Sequence, residues 1–120
     1  EQGVVWWGFE ADEQRRIDFL RSAEAFILPS FVEGLSLSLL EAMACGTPVL
    51  ARPYGSVPEI LIDGVTGFVH DSVDILARRA TEISSLNRED CRKHVEAHFS
   101  IERMVRDHLE VYGELLDRRE

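Results

Sequence analysis

The sequence predicts an α/β fold built on a parallel sheet of about four strands, flanked by helices and ending in a helical C-terminal tail. Three observations predict it. First, an apolar run at residues 25–28 stops at Pro29-Ser30, an apolar helix-like run follows, and a second short apolar run occupies residues 49–51. Strand, turn, helix, strand is one βαβ unit, and its two strands must run parallel. Second, Asp63-Gly64 and Gly67 punctuate a turn before Phe68-Val69, which reads as a last short strand. Third, apolar residues recur at helical spacing from Ser72 onward.

Each element has a local reason. Residues 4–7, Val-Val-Trp-Trp, read as a short strand closed by a turn at Gly8. Trp6 and Trp7 are expected to pack in the core or along an edge, as aromatics usually do. Asp12 is a suitable N-cap for a helix over residues 13–21, with Ile17 and Leu20 inward. Arg15, Arg16 and Arg21 then form a solvated face. Residues 25–28 are the next strand. The helix after it begins near Ser36 and ends at Gly46, with Pro48 two residues on, the usual C-terminal punctuation.

Past residue 51, Arg52-Pro53-Tyr54-Gly55 is a loop at a second strand C-terminus. Ser56-x-x-Glu59 fits a capping box, with Pro58 tolerated in the first turn. Helices are expected over residues 73–86, 88–97 and 101–116, with Ile75, Leu76, Ala80 and Ile83 inward in the first. Asn87 and Ser100 read as caps.

Chain length allows one domain, and a chain of this size buries roughly two-thirds of its unfolded surface. The 120 residues hold 22 acids and 13 bases, a net charge of −9. Acids outnumber bases in both halves, which disfavours nucleic acid and anionic membrane surfaces as partners. No apolar run is long enough to span a bilayer and no secretory signal is visible. Cys45 and Cys91 lie far apart with no CxxC, so they read as reduced thiols of a cytoplasmic protein. His94 and His98 are four apart, but the order HExxH is absent and no third ligand is evident, so no metal site is expected.

The chemistry concentrates at residues 30–41. In open α/β sheets ligands sit where strand C-termini feed helix N-termini. Glu33 lies in that loop and Glu41 about one and a half turns inside the helix. The first backbone N–H groups of the helix, around Ser36 to Ser38, lack partners and attract an anion such as phosphate. A carboxylate further along cannot bind phosphate, but it can accept hydrogen bonds from a diol. Diphosphate at the helix tip with sugar hydroxyls on either side describes a nucleotide sugar. A second reading of Glu41 stands beside this one. Ser38-x-x-Glu41 also fits a capping box. Against that, the helix is otherwise Leu39, Leu40, Ala42, Met43, Ala44 and Cys45, which looks buried nearly all round, where an unpartnered carboxylate is costly. Arg52 is either a phosphate fork or an ordinary surface residue, Tyr54 can stack on a base or sugar, and Glu59 is a cap before it is a ligand.

Glu33 and Glu41 with seven residues between them, followed by residues 42–49, Ala-Met-Ala-Cys-Gly-Thr-Pro-Val, resemble the signature of the retaining group 1 (family 4) glycosyltransferases. Residues 4–8, 25–30, 55–59 and 63–69 resemble further family motifs, and Tyr112 stands where the last helix of the family often has a Tyr. The resemblance implies a Rossmann-like, partial C-terminal domain of the two-domain GT-B arrangement, over residues 1–120 with a helical portion at about 72–119.

It further implies a nucleoside diphosphate sugar as donor, no metal and no other cofactor. Glu33 would meet the hydroxyls of the donor sugar and be the catalytic residue. Glu41 would bind the ribose diol. Gly34, Leu35, Ser36 and Leu37 would line the donor site, with Ser30, Arg52, Tyr54 and Glu59 at its border. Ser36 stands where the family usually has Gly. The amide survives that change while the side chain narrows the approach. The parent enzyme would carry a further N-terminal domain that binds a carbohydrate, lipid or other acceptor, and would be cytoplasmic, with peripheral membrane association allowed. The isolated chain would be inactive. Two strands central to the family's sheet have no counterpart here, so residues 4–7 are expected to pair beside residues 25–28 or with a second copy of the chain. The alternative is a non-enzymatic interaction module on the same scaffold.

Overall fold

The computed structural model describes residues 3–118; both ends of the expected 1–120 span, and residue 119 of the helical portion, lie outside the described residues. The three short strands are β1 (Phe26–Leu28), β2 (Val49–Ala51) and β3 (Gly67–Val69). They form one parallel sheet in the order β1-β2-β3, with Ile27 opposite Leu50 and Leu50 opposite Phe68. The helices are α1 (Glu13–Ser22), α2 (Leu37–Ala44), α3 (Val57–Ile60), α4 (Val73–Arg79), α5 (Arg88–His98) and α6 (Ile101–Asp117). The fold is therefore α/β and Rossmann-like, with three strands among the described residues rather than about four.

The missing strand is residues 4–7. They join no ladder, and Val4, Val5 and Trp6 are largely exposed. The segment is held instead through Trp7, whose ring lies 5.5 Å from that of Phe19 on α1. Neither tryptophan is core: Trp6 is 92% exposed. A four-residue strand gains little unless its edge finds a partner, and an aromatic contact to the neighbouring helix wins here.

Alternation along β2 splits the core into two layers. Val49 and Ala51 face α2, α3 and α5, meeting Leu39, Met43, Val57, Ile60 and Cys91. Leu50 faces the other way, onto Phe68, Leu76 and Ile83. A strand buried on both faces needs both layers apolar, hence the unbroken Val-Leu-Ala run. Gly67 permits the close approach of β3 to β2, since a Cβ there would lie 2.0 Å from the Val49 carbonyl oxygen.

The caps explain most helix bounds. Asp12 accepts from the Arg15 amide at 2.9 Å, Asn87 from Glu89 at 3.0 Å and Ser100 from Arg103 at 3.2 Å. Gly46, at φ +76°, ends α2 in the left-handed conformation. The expected helix over residues 73–86 is split: α4 stops at Arg79 and a 3-10 helix runs over Ala80–Ser85. Thr81 and Ser85 each turn their hydroxyl back onto a nearby carbonyl, Arg78 and Glu82, which favours the tighter winding. Leu76 and Ile83 are buried as expected, but Ile75 is exposed. No helix among the described residues is long and apolar enough to cross a membrane.

Candidate functional site

Two loops at the C-terminal end of the sheet build the site, residues 30–36 after β1 and residues 52–56 after β2. They are in direct contact. A Cβ on Gly55, at φ +58°, would lie 1.7 Å from the carbonyl oxygen of Glu33, so only glycine lets the loops meet. The Phe31 and Tyr54 rings lie 5.7 Å apart, and the Arg52 guanidinium sits 3.6 Å over the Phe31 ring. The Ser36 amide donates to the Ser56 hydroxyl at 3.4 Å. Glu33 is thus placed, half-buried, by the loop that follows β2.

Arg52 is not an ordinary surface arginine. It is buried, and donates through Nε to the Asp71 carbonyl oxygen at 2.9 Å and through Nη2 to Asp71 Oδ1 at 2.7 Å. Tyr54 donates its hydroxyl to the same Oδ1 at 2.5 Å. That bond, more than the guanidinium, holds the Asp71 carboxyl below its ordinary pKa, and the same bond pushes the Tyr54 hydroxyl up. Asp71 lies just past β3 and carried no signal in the sequence reading. Its one local hint was its place at a third strand C-terminus.

The N-terminus of α2 begins where expected, at Ser36. The cap is Ser36 itself, whose hydroxyl accepts from Leu39 at 3.4 Å, so Ser38 and Glu41 form no capping box. Ser56 likewise makes no side-chain cap for α3, because its hydroxyl is turned toward Ser36. Among the described residues no acceptor meets the Leu37 and Ser38 amides. Leu37, Ser38 and Glu41 form the open face of α2, while Leu39, Ala42 and Met43 are buried. The helix is therefore two-faced rather than buried all round, and Glu41 is exposed.

The space between them is a groove of about 230 Å³, where Glu41 shares the walls with Arg16, Ile17, Leu20, Arg21 and Arg92. Glu33 does not line it. Glu33 packs against Gly55, and Glu41 lines the groove along α1. Arg16 and Arg21 were read as a solvated face; their four-residue spacing from the inward Leu20 and Ile17 respectively was the signal that they edge the groove. Of the remaining candidates, Ser30 is half-buried, Gly34 and Leu35 are exposed, and Glu59 is exposed on α3.

Among the described residues no three His, Cys, Asp or Glu side chains are grouped to hold a metal. His94 and His98 stack, ring centroids 4.9 Å apart, and one nitrogen of each is engaged: His94 Nε2 lies 2.9 Å from the Ile60 carbonyl oxygen and His98 Nδ1 3.0 Å from Arg103.

The profile of the family described as "Glycosyl transferases group 1" matches residues 1–98. The chain belongs to the group 1 glycosyltransferases. Among curated relatives, it is 32% identical over 110 residues to an alpha-maltose-1-phosphate synthase of Mycobacterium tuberculosis, covering 88% of this chain and 28% of that protein. It is 40% identical over 94 residues to O-antigen chain mannosyltransferase B of Escherichia coli, covering 78% of this chain and 24% of that protein. It is 37% identical over 106 residues to a D-inositol 3-phosphate glycosyltransferase of Actinosynnema mirum, covering 81% and 25%. The chain thus spans about a quarter of the length of these glycosyltransferases.

Proposed function

We propose that this chain is the donor-binding part of a retaining glycosyltransferase and that it holds a nucleoside diphosphate sugar at the start of α2. The observation that carries the reading is the first turn of α2, with its two unmet amides and an open face that carries Glu41 one and a half turns further on. Those amides and the helix dipole favour the diphosphate. Glu41 accepts from the ribose diol. Glu33, fixed against Gly55, meets the hydroxyls of the donor sugar. Ser36 lends less than a glycine would at this place, because its amide already has the Ser56 hydroxyl as partner.

In transfer, the bond between the sugar and the diphosphate breaks and the acceptor oxygen attacks from the face the diphosphate leaves. The departing phosphate oxygen takes the acceptor's proton. The protein's part is electrostatic: donors already aimed at the charge that grows on the leaving group. None of the side chains described above is a partnered nucleophile, so the route needs no covalent intermediate. The acceptor, a carbohydrate, lipid or other alcohol, is bound by a further domain of the parent enzyme, and the 120 residues alone are a partial domain without turnover. Self-association through the unpaired residues 4–7 belongs to the same proposal.

Calorimetry with uridine and guanosine diphosphate sugars tests it. The chain is expected to bind one of them, and Glu41→Ala to weaken that binding at least tenfold, the ~1.4 kcal/mol that one charge-assisted hydrogen bond supplies. Equal affinity in Glu41→Ala would remove the donor site and favour an interaction module. Radiolabelled sugar transfer by the isolated chain would refute its inactivity.

A further inference from the structure

The loop that carries Glu33 has little of its own to hold it. Phe31, Val32 and Leu35 are 67%, 89% and 63% exposed, so none of them anchors it in the core. No hydrogen bond or ion pair among the described residues holds the Glu33 carboxylate. The loop takes its place from residues 52–56 instead. Arg52 lies over the Phe31 ring, Gly55 meets the Glu33 carbonyl oxygen, and the Ser56 hydroxyl accepts from the Ser36 amide. A surface loop without buried side chains is only as ordered as the residues it rests on.

That support is pinned in turn from just past β3. Arg52 Nη2 and the Tyr54 hydroxyl both donate to Asp71 Oδ1, at 2.7 and 2.5 Å, and Arg52 Nε donates to the Asp71 carbonyl oxygen at 2.9 Å. Two bonds to one residue fix the plane of the guanidinium, and a cation attracts an aromatic ring over its face. Arg52 Cζ lies 3.6 Å from the centroid of Phe31 and 5.1 Å from that of Tyr54. Both rings gather around a group that Asp71 orients. The Asp71 side chain is itself 63% exposed, so removing it leaves no cavity in the core. What its removal takes away is alignment.

We infer that Asp71 is a positioning residue for the donor sugar: through Arg52 and Tyr54 it holds Phe31, and with Phe31 the loop that places Glu33. The inference rests on the reading that Glu33 meets the sugar hydroxyls. Asp71 therefore governs affinity for the sugar half of the donor and leaves the nucleoside diphosphate half alone. The groups assigned to that half, the Leu37 and Ser38 amides and Glu41, belong to α2, which Leu39 and Met43 anchor in the core independently of the loop. A displacement of the Glu33 loop by a fraction of an ångström is enough to lose its hydrogen bonds to the sugar.

Calorimetry on the 120-residue chain tests this, with uridine diphosphate glucose and guanosine diphosphate mannose as probes, each beside its sugar-free diphosphate. Asp71→Ala is expected to weaken the sugar donor about fivefold or more and the diphosphate less than about twofold. Asp71→Asn, whose amide oxygen still accepts from both partners, is expected to keep most of the sugar affinity. Glu33→Gln is expected to give the same selective loss, and Asp71→Ala to add nothing to it, since the two act through one contact. Ile83→Val lowers stability from the far layer of the core and is expected to bind every probe as the wild type does. A readout without ligand is the Arg52 Nε–H resonance, which is expected to move toward that of a free arginine in Asp71→Ala. Should Asp71→Ala fail to fold, Tyr54→Phe, which removes one of the bonds to Oδ1 and keeps the ring, carries the test. Equal weakening of donor and diphosphate, a selective loss in Ile83→Val, a loss that adds to that of Glu33→Gln, or an unmoved Arg52 resonance overturns the inference while the donor reading stands. If Glu33→Gln keeps full sugar affinity, or the wild type binds none of the probes, the reading falls and the inference with it.

Discussion

Arg52 and Asp71 hold the ends of β2 and β3 together, with Nη2 of the arginine 2.7 Å from Oδ1 of the aspartate. Arg52 is buried under Phe31, whereas Asp71 faces water, so the pair sits at the edge of the solvent rather than in the core. Its consequence is local: the loop carrying Glu33 rests on an arginine that a neighbouring strand has fixed. Arg52→Ala is expected to cost about 2 kcal/mol of stability, from lost charge-assisted bonds and the lost ring contact. Chemical denaturation measures it, and a change under ~0.5 kcal/mol would show that the pair is only decorative.

Asp71 and Tyr54 give the chain opposite pH dependences. The Asp71 carboxyl is held below its usual 3.8, chiefly by the Tyr54 hydroxyl and then by Arg52. Its contribution is therefore present above that value and lost as pH falls through the lowered one. The Tyr54 hydroxyl is raised above its usual 10.0, chiefly by its bond to Asp71. Its contribution is present below that value and lost as pH rises through the raised one. Tyr54→Phe is expected to flatten both limbs of a melting-temperature profile, and Asp71→Asn to flatten the acid limb most. Unchanged slopes would mean the bond does not persist in solution.

Gly55→Ala is expected to disturb donor binding more than it disturbs the core. The added Cβ collides with backbone, not with a side chain that can swing away, and the left-handed conformation itself costs ~1 kcal/mol or more without glycine. The loop with Glu33 must yield. Paired melting and calorimetry check this; wild-type affinity in the variant would show that the position of Glu33 does not matter.

Arg88→Ala is expected to release α1. This side chain donates to the carbonyl oxygens of Ala23 at 2.7 Å and Arg21 at 2.8 Å, and to the Thr47 hydroxyl at 3.0 Å. A loss of about 2 kcal/mol is expected, concentrated in faster amide exchange along α1. Uniform exchange across all helices would show that Arg88 acts through global stability alone.

Cys91 is fully buried and its thiol is pushed up to about 11, chiefly by desolvation. Cys45 is partly exposed. A thiol reagent at neutral pH is expected to modify Cys45 in the native chain and Cys91 only after unfolding, as mass spectrometry of the labelled peptides would show.

The sequence by itself determined the parallel βαβ core and the place of α2. Pro29-Ser30, Gly46 and Pro48 are local signals, and caps such as Asp12, Asn87 and Ser100 act within a few residues of where they stand. The spacing of Glu33 and Glu41 about the start of α2 was legible for the same reason. Tertiary structure alone decided the rest. Residues 4–7 look like a strand, yet a ladder needs a partner edge that no local pattern can promise. Ser56 looks like a cap for α3, yet its hydroxyl answers Ser36 twenty residues away. Arg52 acquires its meaning from Asp71, and Arg16 and Glu41 come to line one groove, relationships set by how strands and helices pack and written in no short stretch of chain. Short-range hydrogen bonds are fixed by neighbours in sequence, whereas a groove or a buried ion pair exists only once distant segments have met.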